Sequence, residues 1–274
     1  MSRDICSPTS QNRIQLQIEV VDPELGIVSL LAEQTLLSRA QVKAALDKGA
    51  VWLRRGVAAK PKRVRRVKAP LAAGDQIFLN YDPEVLAERP IPAKLLADKS
   101  EYSVWVKPPG MLCQGSKWGD HTTIERWAAK ALQPERSAFV VHRLDRMAAG
   151  IVILGHTRHA VKHLAKQFQD RTIVKQYRVL VDQCPELELP FVIDSELDGK
   201  SARTVIDSVA PNTGLLPSIW LQDSPALKTK PYSYSELSLR IETGRKHQIR
   251  RHLAGIGHPI VGDRLYHPNY HQPQ

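Results

Sequence analysis

The chain is short of acid, of cysteine and of unbroken apolar stretches. Its 274 residues hold 28 Asp and Glu against 39 Lys and Arg, a formal net charge of +11. An imbalance of that size selects polyanionic partners, with nucleic acid ahead of an acidic membrane. Three cysteines occur, Cys6, Cys113 and Cys184, far apart and with no CxxC pair. That argues against a disulfide framework or a cysteine zinc site and suits a reducing cytosol. No apolar run approaches the ~20 residues needed to span a bilayer. The start, Met1-Ser2-Arg3-Asp4-Ile5-Cys6, has no apolar signal core. These absences predict a soluble, cytoplasmic protein, one large domain or a large one plus a small one, with no membrane partner.

What is present is organised around residues 140–154. An apolar run, Val140-Val141, enters this stretch and a longer one, Ile151 to Leu154, leaves it. Both read as buried strands. Between them stand one carboxylate, Asp145, and three basic side chains, His142, Arg143 and Arg146. Ala148-Ala149-Gly150 closes the loop with little bulk, so another molecule can approach closely. Positive charge around a carboxylate favours its ionised form. The same pattern also fits a surface ion pair at a strand turn, and this stretch alone leaves both readings open.

Ahead of it lies a basic unit. Ile14, Leu16 and Ile18 alternate with polar residues as in a strand. Ser38 followed by Gln41 is a capping box for a helix, and Val42, Ala45 and Leu46 form its apolar face. Val51-Trp52-Leu53 and Gln76 to Leu79 read as strands. From Arg39 to Lys68 there are eleven Lys or Arg and one acid, Asp47. A solvated face is the bland reading of such a run. Because the run lies between strand signals and continues a basic helix face, a phosphate-tracking surface is the better one. Its residues would be Arg39, Lys43, Arg54, Arg55, Lys60, Lys62, Arg63, Arg65 and Arg66. Trp52 reads as core. Residues 1–13 read as a flexible N-terminus, 14–81 as this module, 82–100 as a Pro-rich and charged linker, and 101–270 as a second domain.

In that domain Tyr102 to Val106 reads as a strand ending at Lys107-Pro108-Pro109-Gly110, and Thr123 to Leu132 as a helix. His156 to Asp170 reads as another helix. Its His159 and His163 have a metal-compatible spacing but no acid or cysteine near them, so no metal is expected. Lys175 to Val181 is a strand containing Tyr177, and Tyr234 to Glu242 a half-buried one. Residues 209–231 read as an insertion loop. Thr243-Gly244 suits a turn into a helix whose start gathers Arg245 and Lys246, where anions are favoured.

Residues 25–81 resemble the small αL RNA-binding module of a small-subunit ribosomal protein and several RNA-modifying enzymes. Ser38-Arg39-Ala40-Gln41-Val42, Lys48-Gly49-Ala50-Val51, Arg55-Gly56 and Gly74-Asp75 carry that match; Ser29 to Gln34 departs from it in lacking basic residues. Residues 101–266 resemble the RluA-like pseudouridine synthases, which modify large-subunit ribosomal RNA or transfer RNA. The matching blocks are Lys107-Pro108-x-Gly110, His142-Arg143-Leu144-Asp145, Lys175-x-Tyr177, Thr243-Gly244-Arg245-x-His247-Gln248-Ile249-Arg250, and Gly257-His258-Pro259-Ile260-x-Gly262-Asp263-x-Leu265-Tyr266.

The resemblance implies an α+β pseudouridine synthase fold, a mixed and mainly antiparallel sheet with flanking helices, beside the small N-terminal α/β module. It implies a cofactor-free isomerisation in which a uridine is detached at nitrogen 1 and rejoined through carbon 5. The family's essential aspartate maps to Asp145, its base-stacking tyrosine to Tyr177, and its partner arginine to Arg245. Whether the aspartate attacks the sugar, drives loss of a ribose proton or attacks the base stays open. His142, Arg143, Lys107, Lys175, His247, Gln248, Ile249 and Arg250 are expected to line the substrate site. The partner expected is structured RNA, bound by a monomer. The family usually has Thr-Ser where this chain has Ala148-Ala149, and its usual histidine after the first block is replaced near Gln114. Two alternatives are carried: an RNA-binding or RNA-folding protein that keeps the fold without catalysis, and a DNA-binding regulator, for which no helix-turn-helix dimer pattern is seen.

Overall fold

The computed structural model of the chain describes residues 13–56, 58–214 and 232–268. The expected loose residues 1–12 and most of the expected 209–231 loop lie outside these. The chain divides into two compact units, residues 1–165 and 166–274.

The first unit opens with an antiparallel sheet of β1 (Ile14–Glu19), β2 (Val51–Arg54), β3 (Lys62–Arg63) and β4 (Gln76–Tyr81), in the order β1-β4-β2-β3. Two helices, α1 (Gly26–Glu33) and α2 (Arg39–Asp47), precede β2. The capping box expected at Ser38 forms in both directions: Ser38 Oγ accepts from Gln41 N (3.2 Å), and Gln41 Oε1 accepts from Ser38 N (2.8 Å). Such a cap is worth about 1 kcal/mol and fixes where α2 starts. Val42, Ala45 and Leu46 then face Ile27, Leu31, Val51, Ile77 and Leu79 in one core.

The expected linker contains structure. Helix α3 (Pro83–Ala87) is capped by Asp82 and sinks Leu86 into the N-terminal core. Strand β5 (Lys94–Asp98) then pairs with β6 (Tyr102–Lys107). The prolines and charges of this stretch mask a short helix and an edge strand. β6 pairs with β8 (Gly150–Gly155), and β8 with β7 (Phe139–Val140), giving the antiparallel order β5-β6-β8-β7. Helix α4 (Ile124–Ala131), capped by Thr123, covers this sheet with Ile124 and Ala128 buried against Trp105, Val152 and Leu154. The loop bearing Asp145 joins β7 to β8, as the two apolar runs required.

Helix α5 (Arg158–Gln169) contains the division between the units. The second unit is a sheet of order β10-β11-β12-β9: β9 (Gln176–Asp182), β10 (Phe191–Asp194), β11 (Arg203–Gly214) and β12 (Tyr232–Ile241). Strand β11 runs through residues 209–214, which the sequence placed in a loop. Helix α6 (Gln248–Gly255) follows β12 and buries Leu253 with Val181, Ile206, Leu237 and Leu239. It starts at Gln248, so Arg245 and Lys246 stand in the turn before the helix and not at its first residues.

Candidate active site

The side chains expected to do chemistry fall in both units, and each set is held by its own scaffold. In the first, Lys107 ends β6 and its side chain is fully buried. Its ammonium donates to three carbonyls: Met111 O (2.8 Å), Pro108 O (3.0 Å) and Arg146 O (3.2 Å). Three donors meet three acceptors, which is how a buried cation is tolerated. Burial pushes Lys107 down to about 8, against the upward pull of Cys113 and Asp145 nearby. Lys107 therefore fastens the aspartate loop, and it sits close enough to Asp145 for the two charges to interact.

Other ties complete that loop. Gly110 N donates to Arg146 O (2.8 Å), and Arg146 Nε donates back to Gly110 O (3.1 Å). Cys113, buried in the core, accepts from Leu144 N (3.3 Å) and donates to Leu144 O (3.5 Å). Ala148 N donates to Asp145 O (3.1 Å), closing a turn at the aspartate. Gly150 leaves the loop at φ 136, a conformation other residues rarely adopt. His142, expected at the substrate, has its Nε2 occupied as acceptor for Ile153 N (3.0 Å), which makes it a brace between loop and strand. Asp145 is half-buried and Arg143 exposed, so the carboxylate has a defined seat with a solvent-facing cation next to it in sequence.

In the second unit the turn between β12 and α6 is built around Gln248, which is buried. Its Oε1 accepts from Thr243 Oγ1 (2.7 Å) and Arg245 N (3.0 Å); its Nε2 donates to Arg203 O (2.9 Å) and Thr204 Oγ1 (3.1 Å). All four hydrogen-bonding positions are spent on the scaffold, so Gln248 shapes the turn. Lys175 Nζ adds a bond to Thr243 O (3.3 Å). Arg245 is braced by Ser201 O (2.9 Å from Nε). Tyr177 lies on β9 opposite Leu239, half-buried against the unit's core, and Ile249 packs on that same core.

Arg250, expected to line the pocket, forks onto Asp263: Nε to Oδ2 at 2.7 Å and Nη2 to Oδ1 at 2.8 Å. Burial alone would raise the Asp263 carboxyl, but the Arg250 fork and the amides of Leu265 and Tyr266 outweigh it and hold it below the usual carboxylate range. His247 sits at φ 53 with Nδ1 3.0 Å from Tyr266 Oη, so it anchors the same C-terminal segment. Nothing in the spacing of Cys113 marks it as a loop tie. Nor does the sequence reveal buried His252, whose Nδ1 meets Thr204 Oγ1 at 2.9 Å.

The basic run divides into two kinds. Arg39, Lys43, Arg55, Lys60, Lys62 and Arg66 are exposed, as a phosphate-tracking surface requires. Arg63 and Arg65 are not part of it. Both pair with Asp120, Arg63 also donates to Ser116 O (2.9 Å) and stacks its guanidinium 4.2 Å from the Trp52 ring, and Arg65 donates to Asp47 O (2.8 Å). Trp52 itself is half-buried and donates from Nε1 to Lys117 O (3.2 Å). Arg54 lies 5.3 Å over Phe78 and bonds Gln76. Three of the nine basic residues thus hold the N-terminal sheet together or join it to the loop at residues 115–120. Among the described residues no group of His, Cys, Asp or Glu could hold a metal ion, and no helix is long and apolar enough to cross a membrane.

Residues 101–255 match the family described as RNA pseudouridylate synthase. The chain belongs to that family. Its relatives' names place it in the RluA-like group, and it is an isomerase acting on RNA. Ribosomal large subunit pseudouridine synthase D of Xylella fastidiosa is 27% identical over 226 residues, which is 78% of this chain and 65% of that protein. The tRNA pseudouridine synthase C of Yersinia pestis is 31% identical over 168 residues, 57% of this chain and 63% of that one. The human protein named RNA Pseudouridylate Synthase Domain Containing 1 shares the fold, with a TM-score of 0.51 at 17% identity over 66% of this chain and 73% of that chain. The α+β architecture expected of this synthase follows from the family match.

Proposed function

We propose that this pseudouridine synthase isomerises a specific uridine in structured ribosomal or transfer RNA, with Asp145 as the essential carboxylate. The observation that carries this reading is the seating of the aspartate loop: a buried lysine, a glycine amide and a cysteine thiol converge on Leu144 and Arg146, the residues flanking Asp145. A carboxylate that must meet one reacting atom needs that fixity. The names of two relatives, one ribosomal and one transfer-RNA, supply the two substrate classes.

In this reading the target nucleotide leaves its stack to reach the site, because base pairing hides the reacting atoms. Tyr177 is the base-stacking tyrosine and Arg245 the partner arginine of the family's site, and exposed Arg143 takes a phosphate or the place that the base vacates. Lys107 and His142 support the aspartate loop, Gln248 and Lys175 support the turn that carries Arg245, and Arg250 braces the segment after α6. The exposed cations Arg39, Lys43, Arg55, Lys60, Lys62 and Arg66 carry the RNA backbone as an N-terminal RNA-binding module. The enzyme needs no cofactor and works as a monomer in the cytoplasm, which agrees with free thiols at Cys113 and Cys184.

Tritium release tests the reading. RNA labelled at uridine carbon 5, from cells lacking the protein, is incubated with wild type and with Asp145→Asn. Release by wild type alone is expected. Release by both would remove Asp145 from its role. No release from any RNA fraction, with tight binding retained, would leave an RNA-binding protein without catalysis.

A further inference from the structure

Helix α3 carries the N-terminal sheet's grip toward the aspartate loop. Leu86 belongs to the N-terminal core, and its carbonyl accepts from Lys48 Nζ. Two residues on, Glu88 caps α3; its carbonyl is 2.9 Å from His121 Nε2. The backbone of Glu88 is therefore held from two sides: its N–H donates to Val85 O of α3, whose Leu86 sits in the N-terminal core, and its carbonyl meets His121 ahead of α4. Its carboxylate is 3.1 Å from Arg146 Nη2.

Arg146 follows Asp145 directly and is held by both backbone and side chain. Its carbonyl accepts from Gly110 N and Lys107 Nζ, and its Nε donates to Gly110 O. Glu88 adds the fourth tie, and it is the one that comes from outside the catalytic sheet. The pair borders a cleft of about 250 Å³, lined also by Arg89, Ile91, Met111 and Thr122. A guanidinium kept for an RNA phosphate would gain nothing from a carboxylate at hydrogen-bond distance, since that carboxylate cancels its charge and competes for its donors.

We propose that Glu88 is a positioning residue: through Arg146 it ties the loop carrying Asp145 to the N-terminal sheet. The proposal rests on reading Asp145 as the reacting carboxylate. It also gives the N-terminal sheet a part in the reaction besides holding RNA.

The test compares full-length wild type, Glu88→Gln and Glu88→Asp. Tritium release gives kcat and the KM for RNA, and hydrogen exchange reads the Gly110 amide, which bonds Arg146 O. Glu88→Gln should lower kcat about two- to fivefold, the range an exposed ion pair can supply. KM should stay unchanged and the Gly110 amide should exchange faster. Glu88→Asp, which keeps the charge, should recover most of both. The proposal is overturned if Glu88→Gln leaves kcat and exchange unchanged while KM falls, because Arg146 would then be a phosphate ligand that Glu88 restrains. If wild type releases no tritium, the reading of Asp145 fails, and Gly110 exchange still decides whether Glu88 holds the loop.

Discussion

Lys107→Met removes one ammonium and keeps the shape of its stem, and the structure sets both sides of the energy. Holding Lys107 charged in its buried seat moves it from 10.5 to about 8. At about 1.36 kcal/mol per unit that is a cost of about 3.4 kcal/mol at neutral pH. Methionine escapes that cost but abandons three acceptors. Arg146 O keeps Gly110 N, so two carbonyls, Pro108 O and Met111 O, lose their ammonium donor. At about 1–3 kcal/mol each, the loss is about 2–6 kcal/mol. The two effects nearly offset, so a single stability value at pH 7 decides little, and pH resolves them. The folded pKa lies below the unfolded one, so between about 8 and 10.5 the unfolded chain binds more protons, and wild type gains stability as pH rises. The variant has no such group. Urea unfolding of both proteins from pH 7 to 10 should show a difference that is flat below about 8 and then moves in favour of wild type by up to about 1.4 kcal/mol per pH unit. Activity should move the other way. Above about pH 8 neutral Lys107 has two donors for three carbonyls and no charge beside Asp145, so wild-type tritium release should decline there, while Lys107→Met should be slow throughout. A stability difference with no slope across this range would refute the account of Lys107.

Asp120→Ala should cost about 1–3 kcal/mol by leaving Arg63 and Arg65 without their carboxylate; a thermal melt unchanged from wild type would show that the Asp120 pairs are idle. Replacing Lys60, Lys62 and Arg66 together with Gln should lower the slope of log affinity against log salt by about two, with stability unchanged; the same slope as wild type would make the exposed run a solvated face. Asp263 is held below the usual carboxylate range, so its contribution is present above that range and lost as pH falls through the folded value. Asp263→Asn should therefore be less stable than wild type at pH 7, and the difference should shrink as pH falls below the usual carboxylate range, as followed by urea unfolding. Gly150→Ala meets a backbone at φ 136 and should cost about 1–3 kcal/mol, seen as a lower melting temperature and slower tritium release.

The elements readable from sequence were those whose signal is local. Ser38 and Gln41 announce a capping box, and the box forms. The alternation of Leu237, Leu239 and Ile241 gives a strand with Leu237 and Leu239 buried. The two apolar runs around Asp145 become β7 and β8. What stayed hidden depends on partners distant in sequence. Strand β5 has no clean alternation because it is an edge strand whose Lys94, Leu95 and Leu96 are exposed, and only its pairing with β6 makes it a strand. The start of α6 moved to Gln248 because Gln248 itself bonds back to Arg203, Thr204, Thr243 and Arg245, which sets the turn before any helical hydrogen bond forms. The Arg250 fork on Asp263 was equally hidden, since the two residues are thirteen apart and only the turn after α6 brings them together.

The same lesson applies to the net charge of +11. Read as a count, it says polyanion; read residue by residue, it divides. Arg63 and Arg65 share one aspartate, Arg146 meets Glu88, Arg178 meets Glu236, Arg240 meets Asp207, Arg250 meets Asp263 and Arg251 meets Asp198. Each of these acids neutralises a cation inside the protein, so the charge left for RNA is concentrated on side chains with no carboxylate partner among the described residues. In the N-terminal module the exposed ones are Arg39, Lys43, Arg55, Lys60, Lys62 and Arg66. Were the run from Lys60 to Lys68 uniformly solvated, its members would be interchangeable. The structure makes neighbours differ: Lys62 and Arg66 are exposed while Arg63 and Arg65 reach across to Asp120. Charge-neutralising substitutions at adjacent positions should therefore separate affinity from stability, and that separation distinguishes a binding surface from a flexible charged loop.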